Sequence, residues 1–356
     1  MKKSTLLFCL LALTLTLLGG CKPPGKTPLV VFCAGSLITP FDALEKAFEA
    51  QYPDIDVQNE FHGSIQVIRH VTELHEPIDV VATADYALIP MLMYAVNDPD
   101  TGQPYADWYI RFAGNRLGLA YTPQSAYAAE ITPENWTEIL ARPDVRVGIA
   151  DPRFDAAGYR ALMAYTLAQD LSDQPTLFFD QFAGQFRYPI NLEPGADGST
   201  IIHVPEVLEN QTGAHVILRG ASIQLIALLE SGDLDYAFEY ETVIQQHNLE
   251  LLTLPDALNL GSPDYAAAYA RATVQLDFQR FASVNPVFQG APIGYGITIP
   301  GNAPHSAAAE QYIAFLLSPE GRAVMAAAQH PLLDAPTANG YANLPASLQP
   351  LVTAEP

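Results

Sequence analysis

The pattern of apolar positions near the start of the chain predicts a strand, a tight turn and a helix. An apolar run at residues 30–34 stops at Gly35 and Ser36, and a helical repeat follows. The apolar positions of that repeat are Phe41, Leu44 and Phe48. The turn combines a hydroxyl with N–H groups that lack partners within the helix, which favours an anion. Alone, so short a pattern is more often an ordinary β-turn-α connection.

The same pattern returns further along the chain. Residues 56–61 read as a strand and lead through a glycine to Ser64, which opens another helical repeat. A third apolar strand at residues 79–85 also ends in polar residues. Ligands of open parallel sheets lie beyond the carboxyl ends of the strands. We therefore expect Ser36 and Ser64 to lie at one edge of one sheet.

A further junction of this kind occurs near the middle of the chain. The apolar residues 145–150 precede Asp155, a residue type that caps helix N-termini. Ala156 and Ala157 would supply N–H groups of the first turn. We expect this junction to belong to a second domain and to face the first two.

The order of elements predicts two α/β lobes that exchange segments. The strand-like residues 109–121 follow a loop rich in Pro and Asp, and we interpret them as the crossing into the second lobe. Helical patterns near the C-terminus are assigned to the first lobe. Each lobe is expected to hold a mixed sheet flanked by helices, with the ligand in the cleft between them. The predicted bounds are 29–112 with 290–356 for lobe 1, and 113–289 for lobe 2.

The N-terminus carries a targeting pattern. Two lysines precede an apolar segment that is too short to span a bilayer. Residues 1–20 are therefore predicted to be a signal peptide. The segment ends at Leu-Gly-Gly-Cys, which resembles a bacterial lipobox, so we expect lipidation of Cys21. Residues 21–28 then form an extended tether that holds the protein on the outer side of the membrane.

The charge and cysteine content narrow the function classes. The formal net charge is −22, which argues against nucleic acid and anionic lipid as partners. An anion site in such a chain must rely on local dipoles, because distant charges are screened within about 8 Å. After loss of Cys9 and lipidation of Cys21, only Cys33 remains, on an apolar strand. A disulfide framework and a cysteine metal site are thus excluded.

An enzymatic role has little support in the sequence. The chain has no Gly-x-Ser-x-Gly and no His-Glu-x-x-His, and its eight histidines show no metal-ligand spacing. Ser36, Asp155 and His203 could form a triad only if the fold brought them together. We expect no catalysis and no cofactor.

Motifs in order along the chain resemble the tungstate/molybdate-binding proteins of ABC importers, in particular the tungstate-transport branch first described in archaea. The matching segments are Ala34-Gly35-Ser36-Leu37 with Pro40-Phe41, Gly63-Ser64, and residues 84–90, 105–109, 155–160, 202–205, 232–236 and 295–300. The resemblance implies a type II periplasmic binding protein fold, a naked oxyanion in the cleft, a membrane permease as partner and a monomeric state. The ligand contacts that it implies are Gly35, Ser36, Ser64, Asp155, Ala156, Ala157 and Tyr240.

The sequence departs from this branch at one position. The branch can bring two carboxylates to the metal centre of the oxyanion, an Asp and a Glu that lies eighteen residues before the binding Tyr. Here Asp155 is present, with a possible direct contact to tungsten or molybdenum, but the second position is Ser222. A carboxylate beside a dianion is repulsive unless it bonds the metal or carries a proton. We therefore expect a ligand closer to tetrahedral, with Ser222 donating a hydrogen bond.

Two questions stay open. The chain could instead bind sulfate, phosphate or a small carboxylate, since Arg69, Arg160 and Arg219 lie near the predicted cleft and arginine suits carboxylates. The same arginines could equally make structural hydrogen bonds between or within lobes. Tyr240 could likewise be an ordinary half-buried aromatic residue of a strand, since only the resemblance indicates that it contacts the ligand. The sequence does not rank tungstate against molybdate.

Overall fold

The computed structural model describes residues 25–172, 174–277 and 286–355. The predicted signal peptide and Cys21 lie outside the described residues. The first strand begins at Thr27, two residues before the predicted start of lobe 1. The structure contains three sheets, and their strands divide the chain into two parts. We call the part with the largest sheet lobe 1 and the part with the other two sheets lobe 2.

Lobe 1 is built on a seven-stranded mixed sheet with the order β16-β15-β4-β14-β3-β1-β2. Its strands are β1 (Thr27–Ala34), β2 (Ile55–His62), β3 (Val80–Thr83), β4 (Tyr109–Gly114), β14 (Gly294–Thr298), β15 (Leu332–Asn339) and β16 (Thr353–Ala354). β1 pairs in parallel with both β2 and β3, so their carboxyl ends share an edge. That edge carries the first two predicted turns.

Helices of lobe 1 come from both ends of the chain. They are α1 (Ile38–Gln51), α2 (Ser64–Thr72), α9 (Ser306–Leu317) and α10 (Pro319–Ala327). α10 packs against both α1 and α9. The assignment of the C-terminal helices to the first lobe is therefore what the structure shows. β15 and β16 follow them and complete the same sheet, which the sequence did not predict.

Lobe 2 contains a five-stranded sheet, β11-β5-β10-β6-β9, and a four-stranded sheet, β13-β12-β8-β7. The strands are β5 (Leu117–Tyr121), β6 (Val147–Ala150), β7 (Asn191–Pro194), β8 (Thr200–Val204), β9 (Val216–Arg219), β10 (Tyr236–Tyr240), β11 (Glu250–Thr253), β12 (Ala272–Leu276) and β13 (Val287–Gln289). The helices are α3 (Trp136–Leu140), α4 (Ala156–Leu171), α5 (Leu177–Gln181), α6 (Ile223–Glu230), α7 (Glu241–Gln246) and α8 (Ala266–Tyr269).

The long helix α4 lies between the two sheets of lobe 2. It contacts β6 and β10 of one sheet and β8 and β12 of the other. Its residues from Ala156 to Ala168 are all buried, which is typical of a helix that is covered on every side. The second sheet of lobe 2 thus explains why α4 carries no polar face. Contacts with both sheets hold α4 in place within lobe 2.

The two lobes are joined where strands cross between sheets. The predicted long strand at 109–121 is in fact β4 and β5, which belong to different lobes and are separated at Asn115 and Arg116. The chain returns from lobe 2 to lobe 1 between β13 and β14.

Among the described residues, no helix combines the length and the apolar character that a membrane crossing requires.

Candidate functional site between the lobes

Ser36 lies in a single 3₁₀ turn that connects β1 to α1. It is 4% exposed, and its Oγ accepts a hydrogen bond from the Tyr295 hydroxyl over 2.9 Å. Gly35 beside it faces lobe 2, since a Cβ at that position would lie 3.0 Å from the Ile223 side chain. The absence of a side chain at Gly35 lets the start of α6 approach this turn.

Ser64 is the first residue of α2 and follows β2 through Gly63. Its Oγ accepts a hydrogen bond from the Ala84 N–H over 3.0 Å. The turn contacts lobe 2 directly, because the Ile65 N–H donates to the Phe154 carbonyl over 3.1 Å. A Cβ at Gly63 would lie 2.5 Å from the same carbonyl oxygen. The two lobes are therefore closed against each other at this point.

Asp155 caps α4, as the sequence predicted. Its Oδ1 accepts from the Ala157 N–H over 2.8 Å, and its Oδ2 accepts from the Ser222 N–H over 3.1 Å. Burial raises the pKa of Asp155, while those two N–H groups and the charge of Arg160 lower it. One carboxylate thus ties the start of α4 to the start of α6. Ala156 and Ala157 are buried at the same helix start.

Arg160 connects the lobes one turn further along α4. Its Nη1 donates to the Tyr240 hydroxyl over 2.6 Å and to the Ala84 carbonyl over 2.7 Å, and its Nη2 lies 3.3 Å from Asp85 Oδ2. The Tyr159 hydroxyl donates to the same Asp85 oxygen. Burial lowers the pKa of Arg160, but Tyr240, Asp85 and Tyr159 raise it above its already high ordinary value. Arg160 thus ties α4 and Tyr240 of lobe 2 to Ala84 and Asp85 of lobe 1.

Tyr240 ends β10 and is 1% exposed. Burial raises the pKa of its phenol well above the usual value, so the group is neutral. Its ring centroid lies 6.1 Å from that of Tyr295, which belongs to lobe 1. Tyr240 therefore lies at the contact between the lobes, on the lobe 2 side.

Tyr295 belongs to this arrangement, but sequence reasoning did not identify it. It lies on β14, and its hydroxyl accepts from Asn115 Nδ2 over 3.1 Å while donating to Ser36. Asn115 Nδ2 also donates to Thr242 Oγ1 over 2.8 Å. The orientation of Ser36 is thus coupled to the crossing between the lobes. Alternating apolar residues at 293–299 were visible in the sequence, but they indicated only a strand.

Glu239 was also missed. It precedes Tyr240 on β10, is completely buried, and accepts the Tyr240 N–H at Oε1 over 2.7 Å. Burial raises its pKa to about 8. The sequence shows a glutamate next to a predicted binding residue. The residue pattern alone does not show that this strand position is buried.

All eight predicted site residues meet where the lobes touch. We call them the interlobe cluster: Gly35, Ser36, Ser64, Asp155, Ala156, Ala157, Ser222 and Tyr240. Ser222 is 2% exposed, and its hydroxyl does not cap α6. The cluster thus combines hydroxyls from lobe 1 with a helix start and a tyrosine from lobe 2.

The structure does not assemble the triad that an enzyme would need. His203 lies on β8, and its ring nitrogens contact Asp277 at 2.8 Å and Glu193 at 3.2 Å instead. Arg69 pairs with Glu73, and Arg219 donates to a backbone carbonyl. Within the described ranges, no group of three or more His, Cys, Asp or Glu side chains could hold a metal ion.

A cavity of about 580 Å³ lies beside the crossing strands, away from the cluster. Its lining includes Asn115, Arg116, Glu241 and Thr242. Arg116 Nε pairs with Glu241 Oε2 over 2.9 Å at its wall. The cavity is much larger than a tetrahedral oxyanion, and none of its lining residues belongs to the interlobe cluster.

Comparison with known proteins identifies the family of the chain. Residues 29–328 match the family described as bacterial extracellular solute-binding protein. The chain is 36% identical over 334 residues to the molybdate/tungstate-binding protein WtpA of Thermococcus kodakarensis, covering 92% of this chain and 88% of that one. It is 37% identical over 328 residues to an uncharacterized solute-binding protein of Methanoculleus marisnigri, covering 92% and 87%. The resemblance inferred from the motifs is therefore confirmed.

Solved structures share the fold. The periplasmic molybdate-binding protein of Azotobacter vinelandii matches with a TM-score of 0.54 at 16% identity, over 86% of this chain and all of that one. The sulfate-binding protein SubI of Mycobacterium tuberculosis matches with a TM-score of 0.51 at 16% identity, over 87% and 88%. At such identities the likeness concerns the fold alone. It confirms the predicted two-lobed α/β class.

Proposed function

The chain belongs to the bacterial extracellular solute-binding proteins, and on that premise we propose that it captures tungstate or molybdate in the interlobe cluster and delivers it to an ABC importer. The relative named as a molybdate/tungstate-binding protein, similar over 92% of this chain, supports this choice of ligand. Membership of a binding-protein family also agrees with the absence of catalysis that we expected from the sequence.

The hydroxyls of Ser36 and Ser64 are the observation that carries the proposal. Each accepts a hydrogen bond from a protein group, Tyr295 in one case and Ala84 in the other. A serine hydroxyl has one proton to donate besides its acceptor lone pairs. In the described part of the chain neither proton has an acceptor, so both are free for an oxygen of the ligand. Two buried hydroxyls of this kind suit an anion that has only acceptors.

The contacts between the lobes support capture by closure. The backbone bond from Ile65 to Phe154 and the bonds from Arg160 to Ala84 and Asp85 all cross the cleft. A ligand that bonds both lobes favours this closed arrangement through its differential affinity. A permease can then distinguish loaded from empty protein by the relation between the lobes.

Anchoring through Cys21 completes the proposal. The tether would keep the lobes close to the permease after removal of residues 1–20. Replacement of Cys21 by serine should release the protein from the membrane fraction into the soluble fraction, as measured by immunoblotting of both. Retention of the variant in the membrane would contradict lipid anchoring but would leave the ligand assignment intact.

The alternative ligands are sulfate, phosphate and small carboxylates. Arg160 is the cation closest to the cluster, but its hydrogen bonds go to protein groups, so it does not favour a carboxylate ligand. The larger metal oxyanions also differ from sulfate in having a centre that accepts further oxygen ligands.

The test is a thermal-unfolding screen of the purified protein with tungstate, molybdate, sulfate and phosphate at equal concentration. A ligand present at about a thousand times its Kd should add roughly 4 kcal/mol to the free energy of unfolding. Stabilisation by tungstate or molybdate, with little effect of sulfate and phosphate, is the expected result. No shift with either metal oxyanion would overturn the assignment.

A further inference from the structure

Glu239 is a buried carboxylate whose presence the contacts described above do not explain. Its side chain is 0% exposed, and one oxygen, Oε1, accepts the Tyr240 N–H. The other oxygen, Oε2, is buried and has no hydrogen-bond partner among the described residues. Buried polar atoms are nearly always paired, and an unpaired carboxylate oxygen is strongly unfavourable. The Ser222 hydroxyl acts on this carboxyl without meeting hydrogen-bond geometry, so Oε2 keeps lone pairs for a further partner.

Glu239 adjoins the interlobe cluster, because its Oε1 accepts the N–H of Tyr240, a member of that cluster. Burial raises the Glu239 pKa most, the charge of Asp155 raises it further, and the Ser222 hydroxyl lowers it without completing a hydrogen bond of normal geometry. Glu239 in turn raises the pKa of Tyr295, which bonds Ser36. The carboxyl thus lies within electrostatic reach of Asp155 in lobe 2 and of Tyr295 in lobe 1.

We infer that Glu239, together with Asp155, supplies a carboxylate oxygen to the metal centre of the bound oxyanion and so replaces the group that Ser222 lacks. The inference rests on the proposed function, because only a metal oxyanion offers such a centre. Tungsten(VI) and molybdenum(VI) accept electron pairs from carboxylate oxygens. Two dative bonds form and the oxidation state of the metal is unchanged. Because the pKa of Glu239 is about 8, its carboxyl carries a proton at neutral pH, and this O–H bond breaks, with the proton released to solvent, as the bond to the metal forms.

This role makes Glu239 a determinant of specificity. Two carboxylates beside a dianion are repulsive unless they bond its central atom or carry a proton. Sulfate and phosphate lack a centre that accepts these bonds, so the pair would favour tungstate and molybdate over them. The expectation of a nearly tetrahedral ligand assumed that Asp155 is the only carboxylate in the site, and Glu239 removes that assumption.

The direct test is metal-edge X-ray absorption on the tungstate complex of the unaltered protein. We expect a six-coordinate centre with two oxygens from the protein. A four-coordinate spectrum would overturn the inference and would leave the proposed function standing. Failure of the unaltered protein to bind tungstate or molybdate would instead overturn the proposed function itself. The two failures are therefore distinguishable.

A Glu239→Gln variant tests the residue. Glutamine retains an oxygen for the Tyr240 N–H but is a poor ligand for the metal. Tungstate affinity should fall at least tenfold, roughly the loss seen when a group around a metal site is removed, and the coordination number should decrease. The matched control is Glu45→Gln, which removes a half-buried carboxylate that bonds Asn59 in lobe 1. Unchanged affinity and spectrum in Glu239→Gln would contradict the role.

A rescue variant separates ligation from folding. Combining Glu239→Gln with Ser222→Glu moves the carboxylate to the position at which the resembling family carries it. We expect the double variant to regain tungstate affinity and the six-coordinate spectrum relative to Glu239→Gln alone. If the double variant is folded by circular dichroism but binds no better than the single variant, the carboxylate is not what Glu239 contributes.

Discussion

At the scale of single residues, the site depends on hydroxyls whose acceptor side is already occupied. Tyr295 holds Ser36 and the Ala84 N–H holds Ser64, so neither oxygen is free to rotate into a competing contact. A group fixed in this way loses less rotational freedom on binding. The protein thus orients its donors before the ligand arrives.

Replacing either serine by alanine should weaken binding of the metal oxyanion by about 1–3 kcal/mol, because a hydrogen bond to a charge is lost. Isothermal titration of Ser36→Ala and Ser64→Ala with tungstate measures the loss. Ser306→Ala, an exposed serine in lobe 1, is the control and should bind normally. Equal affinities in all three variants would mean that the hydroxyls do not contact the ligand.

The site residues that the sequence predicted are those whose signal is local. Asp155 precedes an apolar helix, and a cap of this kind can be recognised from neighbouring residues alone. Tyr295 joins the site through its hydrogen bond to Ser36, and Glu239 is influenced by the charge of Asp155; both partners are far away in the sequence. Nothing in the neighbourhood of Tyr295 distinguishes it from other aromatic residues on buried strands, so its role could not be predicted.

At the scale of elements, strand-to-helix junctions were predictable because the apolar period changes there from two to about 3.6. The predicted strand at residues 56–61 matches β2 to within one residue at each end, and the predicted strand at residues 145–150 ends with β6 at Ala150. The split of residues 109–121 into β4 and β5 was not predictable, because both halves have the same apolar character. The short strands β7 and β16 lie largely at the surface and lack an apolar pattern.

A Gly63→Ala variant tests whether the junction between β2 and α2 must close against lobe 2. The φ of −62° at Gly63 suits any residue, so a Gly63→Ala change adds no strain within lobe 1. The added Cβ would lie 2.5 Å from the Phe154 carbonyl oxygen, which only closure brings near. The variant should keep its stability without ligand but bind tungstate at least about tenfold more weakly, a loss of about 1.4 kcal/mol.

We expect ligand to make the unaltered protein more compact, and small-angle X-ray scattering should show that Gly63→Ala with ligand keeps a larger radius of gyration. Gly220→Ala is the matched control, because its Cβ would meet only Gln224 Oε1, at an ordinary 3.7 Å. Normal affinity and normal compaction of Gly63→Ala would mean that the observed contact is not needed for binding.

At the scale of the whole molecule, the proposed function requires an acidic protein to bind an anion. The net charge of −22 opposes long-range attraction of the ligand, so the local donors of the interlobe cluster must provide the affinity. The cluster takes groups from both lobes and is therefore complete only when they close. The crossing between the lobes is also where Asn115 reaches Thr242 and Tyr295, so the hinge and the site share one hydrogen-bond network.

His330 extends that network and makes the stability of the whole molecule depend on pH. It is 0% exposed, packs edge-on against Tyr295, and lies 3.2 Å from Thr242 Oγ1 through Nδ1. Its Nε2 is buried and has no hydrogen-bond partner in the described part of the chain. Burial lowers the pKa of His330 from 6.5 to about 4, so the folded protein holds the ring neutral.

Between about pH 4 and 6.5 the unfolded chain therefore binds a proton at this residue that the folded chain does not. The free energy of unfolding must rise with pH through that window and must fall by about 3 kcal/mol when the solution is acidified across it. Urea unfolding of the unaltered protein and of His330→Gln at several pH values isolates this contribution. The variant should lose less stability on acidification than the unaltered protein, and parallel curves for the two would show that His330 is not the group that titrates.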